Sequence, residues 1–593
     1  MAYKAPVSDM LFTLNRIAGF GAHVDAGLFE DLDNATVAAI LEEAGRFATE
    51  RLATINRAGD EHPARLVDGK VVMPESWKAA YRAFWESGWN ALPCPKAFGG
   101  QELPIAVAMA VNELWNGANM AFSLNPLLTQ AGVEALYKYG ADELKTKYLP
   151  KLVSGEWTGS MQLTEPHAGS DLRFLKTRAV PQGDGTYRIT GTKIFITFGE
   201  HPLTENIIHI VLARLPDAPA GTRGISMFLI PKFLVNDDGS LGARNDVHAA
   251  KLEHKLGIHG SPTCVLNYGD GEGAIGWMVG EPNRGLQYMF VMMNQARLGV
   301  GLQGLGVAEH AFQHALAYAR DRKQGSVANT PDTEMTPIIN HPDVVRMLLS
   351  MKAKIAAARA ICYTNAVAID LSRHARDAGE RARADAEAAL LTPISKAFGS
   401  DTGVEVASEG IQVHGGMGFI EETGAAQFYR DARIAPIYEG TNGIQAIDLV
   451  GRKLAMNNGE TVRLFLDGLK ETVAQVKASN EPAFGAMGES LEGGVAALEE
   501  TSGWLLRQLG ENRDAALAGA TPYGRLFALT TGGVLLARGA LAVARDGDDS
   551  GETPIALARH FAETQVPATA GLKPAVMQMH ETVLDGRAAS ILG

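Results

Sequence analysis

Hydrophobic periodicity changes twice along the chain, and those two changes constrain the fold more than any single motif. From Asn34 to about Gly155 apolar residues recur every three or four positions, as in NATVAAILEEAGRFATERLATI, which predicts helices with Asn34 as the first N-cap. Over residues 160–280 the period becomes two: TYRITGTKIFITF alternates β-branched and aromatic residues with polar ones, and IIHIVLARL and GISMFLIPKFLV are further strands between Pro/Gly turns. Helical spacing returns at GLQYMFVMMNQARLG and runs to about Ala455. An α+β chain, mostly α, is expected.

Residues 1–35 read as an N-terminal extension anchored by Leu11, Phe12, Leu14 and Ile17, followed by a helical domain (36–159), a β domain (160–282) and a helical bundle (283–458). The polar stretches NNGE and ASNEPAFGAMGESLEGG place a boundary near residue 458. Beyond it, in a helical extension (459–593), SLEGGVAALEETSGWLLRQLG and PYGRLFALTTGGVLLARGALAVARD predict two packed helices, DGDDSGET a loop, and the end a last helical segment.

Bulk properties limit function. Lys+Arg 54 against Asp+Glu 67 gives −13, a field that repels phosphate backbones and anionic lipid heads and argues against a nucleic-acid or membrane-surface partner. Cys94, Cys264 and Cys362 are too scattered for a disulfide framework or a zinc site. Asp9 and Arg16 interrupt any signal-like start, and the run GGVLLARGALAVA is cut by Arg538 and falls short of the ~20 residues of a membrane span. A large cytoplasmic enzyme is expected.

Several motifs carry a chemical and a plainer reading. Gly299-Val-Gly301-Leu-Gln-Gly304 matches GxGxxG, but a helical segment precedes it rather than a strand, so close helix packing is the reading adopted. His310 and His314 have metal-ligand spacing without a third ligand, which points to a solvated helix face. SRHARDAGERARADAEA, mixed in sign, reads as an exposed, salt-bridged helical hairpin. Met161–Asp171 (MQLTEPHAGSD) gathers hydroxyls and backbone donors where helices give way to strands, suiting a flavin edge or pyrophosphate, or an ordinary interdomain turn. Gln412–Phe419 (QVHGGMGF) concentrates glycines in helical sequence, a sign of close approach by backbone or ligand. In Pro436-Ile-Tyr-Glu439-Gly-Thr-Asn-Gly443 a single carboxylate stands between apolar residues and a glycine turn, either solvated or partly desolvated as a base.

In this order, LTEPHAGSDL, KIFITFGE, RDRKQG, QVHGGMGF and IYEGTNGIQ resemble the motifs of the acyl-CoA dehydrogenase family over roughly residues 37–455. The long lead-in and tail resemble its long bacterial branch, which includes 3-methylmercaptopropionyl-CoA dehydrogenases and related fatty acyl-CoA dehydrogenases, implying 3-methylmercaptopropionyl-CoA or a straight-chain fatty acyl-CoA as substrate. The resemblance implies an N-terminal helical domain, a β-barrel-like middle domain and a C-terminal four-helix bundle, with FAD as cofactor. It implies Glu439 as the base for the α-proton, its backbone N–H and a flavin ribityl hydroxyl as donors to the thioester oxygen, and hydride transfer to the flavin. It assigns Met161, Leu163, Thr164, Gly169, Ser170, Phe195, Ile196, Thr197, Arg322, Gln412, Gly415, Gly416, Thr441 and Gly443 to the cofactor. Ser170, Asn294, Arg297, Tyr438 and Gly440 fall to the substrate, and no metal is implied.

Phe195 stands where Trp is common, Asn294 where many members carry Asp, Gln324 where an aromatic is expected, and Pro342 where Gln often follows His. The resemblance further implies an electron-transferring flavoprotein partner and a homodimer, the extension covering a surface that others use to form tetramers. Two alternatives share the fold: an acyl-CoA oxidase using O₂, and a DNA-binding alkylation-response protein, which the acidic balance and the intact Tyr438-Glu439-Gly440 disfavour.

Overall fold

The computed structural model describes the chain except residues 1–2, 328–330, 332–333 and 547–551. The loop expected over DGDDSGET falls on 547–551, outside the described residues. The fold is α+β and mostly helical, and its contacts divide it into two compact units, one of residues 50–104 and 118–296, the other of 1–49, 105–117 and 297–593.

In the first unit the last helix before the sheet, Asp142–Ser154, is followed directly by strand Thr158–Gln162. That strand pairs in parallel with Ile207–Ala213, which continues antiparallel to Ser226–Pro231. The sheet has eight strands, and the eleven-residue Tyr187–Thr197 is its hub, pairing with Arg178–Pro181, Thr263–Tyr268 and Ala274–Met278. Ile189, Val211, Phe228, Ile230 and Leu266 fill one apolar layer; Leu149, Leu152 and Trp157 join Ile208, Ile210 and Leu229 in another. A hairpin that periodicity does not reveal, Arg65–Val67 with Lys70–Val72, turns at Asp68-Gly69, both at positive φ (49° and 72°). Asp-Gly is the pair such a two-residue turn selects.

In the second unit the long helices Pro342–His374 and Ala378–His414 form the expected hairpin, and residues 297–321 of helix Gly285–Asp321 belong to the same unit. Gly301 and Gly304 lie against Ser395 and Gly399; a Cβ added at Gly304 would meet the Gly399 carbonyl oxygen at 2.2 Å. GxGxxG is thus a packing seam. Gly304→Ala should cost about 1–3 kcal/mol through the strain of overpacking, and an unchanged denaturation midpoint would refute this tight seam.

Four details differ from expectation. Asp33, not Asn34, caps the helix Asn34–Phe47, accepting from the Thr36 N–H at 2.6 Å. His310 is buried, donating from Nδ1 to the Gly117 carbonyl at 2.8 Å, while the His314 ring stacks on His414 at 4.7 Å. The histidine face is therefore packed rather than solvated, burial holds both groups down to about 4, and no metal-binding cluster occurs among the described residues. A helix at Glu460–Ala478 opens the extension, burying Val462, Leu466, Leu469, Val473 and Val476; the polar NNGE in front of it masked its start. Finally, Ala520–Asp546 extends well past its apolar run. Its span Ala520–Arg545 is long and apolar enough to cross a bilayer, but 89% of its most apolar 18-residue stretch is buried within the protein.

Candidate active site

Glu439 lies in the turn between helices Ala425–Ala432 and Asn442–Asp448. The Asn442 N–H closes this turn on the Pro436 carbonyl at 2.9 Å. Gln445 Nε2 donates to the carbonyls of Glu439 and Gly440, each at 3.2 Å. Thr441 caps the following helix, its hydroxyl accepting from the Ile444 N–H at 3.2 Å, and the Tyr438 hydroxyl donates to Gln303 Oε1. Within these bonds the Glu439 backbone is left-handed, φ 55°, followed by Gly440 at 82°. Such a conformation costs a non-glycine residue about 1–3 kcal/mol, so the surrounding bonds over-determine it.

The electrostatics of the turn set a proton affinity. Burial pushes the Glu439 carboxyl up to about 7, against the pull of Arg297 and Lys396. Arg297 is itself buried and pairs through Nη1 with Asp448 Oδ2 at 3.2 Å; Asp448 Oδ1 also accepts from Arg452 Nε at 2.5 Å. A carboxyl that is half ionised near neutrality, half-buried and facing a fixed cation, is suited to removing a weakly acidic proton.

Among the expected residues of this unit, Arg297, Tyr438, Glu439, Gly440, Thr441 and Gly443 come together. Arg322, Gln412, Gly415 and Gly416 are exposed instead. The two glycines leave open space where a side chain would stand, and Gly415 has φ 60°. Gln324, the departure noted beside Arg322, accepts at its backbone carbonyl from His341 Nε2 at 2.7 Å. Pro342 begins the helix Pro342–His374, where its missing N–H is no loss.

In the sheet unit the segment Leu163–Asp171 leaves strand Thr158–Gln162 and is pinned by a buried acid. Glu165 accepts from Lys193 Nζ at 2.9 Å, from the Lys176 and Thr177 N–H groups at 2.7 and 3.0 Å, and from the Thr177 hydroxyl at 2.5 Å. Lys193 also donates to the Leu163 carbonyl at 3.1 Å. Burial alone would raise the Glu165 carboxyl, but the Lys193 charge and these bonds outweigh it and hold it low. Sequence reasoning missed this pair. Its signal was Lys193, a lysine in phase with the inward-facing Ile189 of its strand.

Phe195 has φ 60° where Tyr187–Thr197 bulges against Thr263–Tyr268, and its ring is 61% exposed. Ile196 points the other way, 2% exposed in the apolar layer, so only its backbone is available to a ligand. Met161, Leu163, Thr164 and Thr197 are partly exposed, while Gly169 and Ser170 are exposed, with no atom within 4 Å of a Cβ at Gly169. Asn294 is also exposed. An open aromatic face, hydroxyls and unobstructed glycine backbone fit the ring and phosphate chemistry of FAD.

Comparison with known proteins agrees with these local features. Family models described as acyl-CoA dehydrogenase N-terminal, middle and C-terminal domains match residues 34–156, 160–270 and 283–454. A fourth, acetyl-CoA dehydrogenase C-terminal like, matches residues 465–586. The chain is 46% identical over 552 residues to a 3-methylmercaptopropionyl-CoA dehydrogenase of Ruegeria pomeroyi, covering 92% of this chain and 93% of that protein. Among solved structures, Caenorhabditis elegans ACDH-11 in complex with C11-CoA has a TM-score of 0.81 at 21% identity, covering 100% of this chain and 95% of that one. An acyl-CoA dehydrogenase from Bacillus anthracis complexed with FAD has a TM-score of 0.74 at 20% identity, covering 95% and 91%.

Proposed function

The chain belongs to the acyl-CoA dehydrogenase family, and from that premise we propose that it converts an acyl-CoA thioester to the trans-2-enoyl-CoA with Glu439 as the acceptor of the α-proton. The observation that carries this reading is the half-buried, strained Glu439, whose carboxyl desolvation raises to about 7. Its ionised form grows as pH rises through that value, so the proton-removing form is abundant where the thioester is stable. The Glu439 backbone N–H is the donor this chain offers to the thioester oxygen, with an effect on the order of 3 kcal/mol by analogy with oxyanion holes.

FAD, when bound, supplies the acceptor for the β-hydrogen as hydride, a role no side chain fills. Met161, Leu163, Thr164, Gly169, Ser170, Phe195, the Ile196 backbone and Thr197 are assigned to its ring end. Arg322, Gln412, Gly415 and Gly416 are assigned to its phosphate and adenosine end, shared between two subunits, and Thr441 and Gly443 lie beside the base. Ser170, Asn294, Arg297, Tyr438 and Gly440 are assigned to the acyl-CoA. Support for a homodimer comes from Met417, Phe419 and Ile420, exposed by 48, 87 and 44% beside Gly415 and Gly416, an apolar edge suited to a second copy.

The relative from Ruegeria pomeroyi directs the substrate reading to 3-methylmercaptopropionyl-CoA or a short acyl-CoA of that size, with electrons passing to an electron-transferring flavoprotein. Anaerobic titration of the yellow protein with a panel of acyl-CoAs tests it. Bleaching is expected to be fastest with 3-methylmercaptopropionyl-CoA, and a protein that no acyl-CoA bleaches would end the proposal. Peroxide formed stoichiometrically with substrate under air would make the chain an oxidase instead.

A further inference from the structure

Besides Tyr438, a side chain whose every polar atom is used ties the base loop to the bundle. Asn442, the first residue of helix Asn442–Asp448 and three residues past Glu439, accepts at Oδ1 from Lys396 Nζ at 2.8 Å and from the Ser400 hydroxyl at 3.2 Å. Its Nδ2 donates to Asp401 Oδ1 at 2.7 Å, Ser400 Oγ at 3.0 Å and the Ala397 carbonyl at 3.3 Å. Lys396 is 0% exposed. Among the described residues its ammonium has a single hydrogen-bond acceptor, Asn442, though such a group carries three donors. Few lysines are fully buried without a matched carboxylate beside them.

Resting on the reading of Glu439 as the base, we propose that Lys396 is a positioning residue for it, fixing the base loop through Asn442 and presenting a buried cation to the Glu439 carboxylate. The charges around the pair are few. Arg297 and Lys396 face Glu439; Asp401, Glu439 and Arg297 face Lys396. Asp401 in turn is faced by Arg525, from the extension helix Ala520–Asp546, and by Glu405. Burial acts oppositely on the two partners, raising the carboxyl and lowering the ammonium, both to about 7. Each charge is therefore supported in part by the other, Glu439 more strongly by Arg297 and Lys396 more strongly by Asp401. Removing the cation leaves Glu439 with burial and Arg297 only, so its proton affinity must rise and its ionised form must appear at higher pH.

The test is the pH dependence of flavin reduction at saturating acyl-CoA in the holoenzyme, alongside an infrared titration of the Glu439 carboxyl without substrate, identified by its loss in Glu439→Gln. In Lys396→Met and in Lys396→Gln, which keeps a donor for Asn442 without the charge, the acid limb and the carboxyl band should both move up by about one pH unit or more. Lys396→Arg should leave both near the parent position. An unmoved limb in the Met and Gln variants overturns the proposal. So does a shift in Met that Gln abolishes, which would make Lys396 a hydrogen-bond donor and nothing more. Should Lys396→Met fail to fold, the Gln and Arg pair decides alone. Glu439→Gln separates the two levels: if it is inactive while the limb stays put, Lys396 has no such role; if it still reduces flavin, the base itself is wrong.

Discussion

Glu439→Gln will retain flavin colour and acyl-CoA binding while the rate of flavin reduction falls by about 10²–10⁴-fold, the usual span for a lost general base. The amide matches the carboxyl in shape, so the turn and its bonds from Asn442, Gln445 and Tyr438 persist. What goes is the ability to accept a proton. A second signature concerns stability. The folded protein raises this acid from 4.5 to about 7, so its ionisation works against the fold. Relative to the variant, the parent loses stability as pH rises between those two values and the difference then levels off. Melting temperatures of the two apoproteins should therefore diverge in favour of the variant from pH 4.5 to 8. Equal curves across that window would mean the carboxyl is hydrated, and a variant reduced at the parental rate would mean another group takes the proton.

How much of this was legible in the sequence depended on whether the cause was local. The hub strand followed from the alternation in TYRITGTKIFIT, and the GxGxxG seam from the helical residues in front of it, because periodicity within one element carries both. The 436–443 segment, too, showed its carboxylate among apolar residues. The bonds that impose φ 55° on Glu439 were hidden, since Gln303 and Lys396 lie over forty residues away and look like ordinary helix positions. The histidine pair failed for the same reason. His310 and His314 were judged by their own helix, whereas their environment comes from Tyr3, Phe428 and His414. The helix Glu460–Ala478 is different, for its apolar spacing was plain and only a polar lead-in diverted the reading.

The Glu165–Lys193 pair is where a hidden long-range partnership should have the largest effect on the folded state. Lys193→Met replaces an ammonium of 0% side-chain exposure and leaves Glu165, at 2%, with backbone and hydroxyl donors, the His167 ring at 3.5 Å and the Arg214 charge, but without its buried partner. Breaking one side of a buried ion pair costs about 3–5 kcal/mol, because the remaining charge has lost its compensation without regaining water. The same change frees the Leu163 carbonyl and loosens the segment Leu163–Asp171 that is assigned to FAD, so the purified variant should be both less stable and paler. The sign of the pH response distinguishes this cause from a packing defect. In the parent, Glu165 is held below its ordinary value, so its contribution is present above about 4.5 and disappears as pH falls through the depressed value. In the variant the carboxyl titrates upward, and the stability deficit should shrink on acidification as Glu165 takes a proton. Adding Glu165→Gln removes the stranded charge at neutral pH and should recover a large part of the loss, with a coupling outside simple additivity. A deficit that ignores pH and is unchanged in the double variant would show that Met merely packs badly, and that the segment Leu163–Asp171 does not depend on this charge pair.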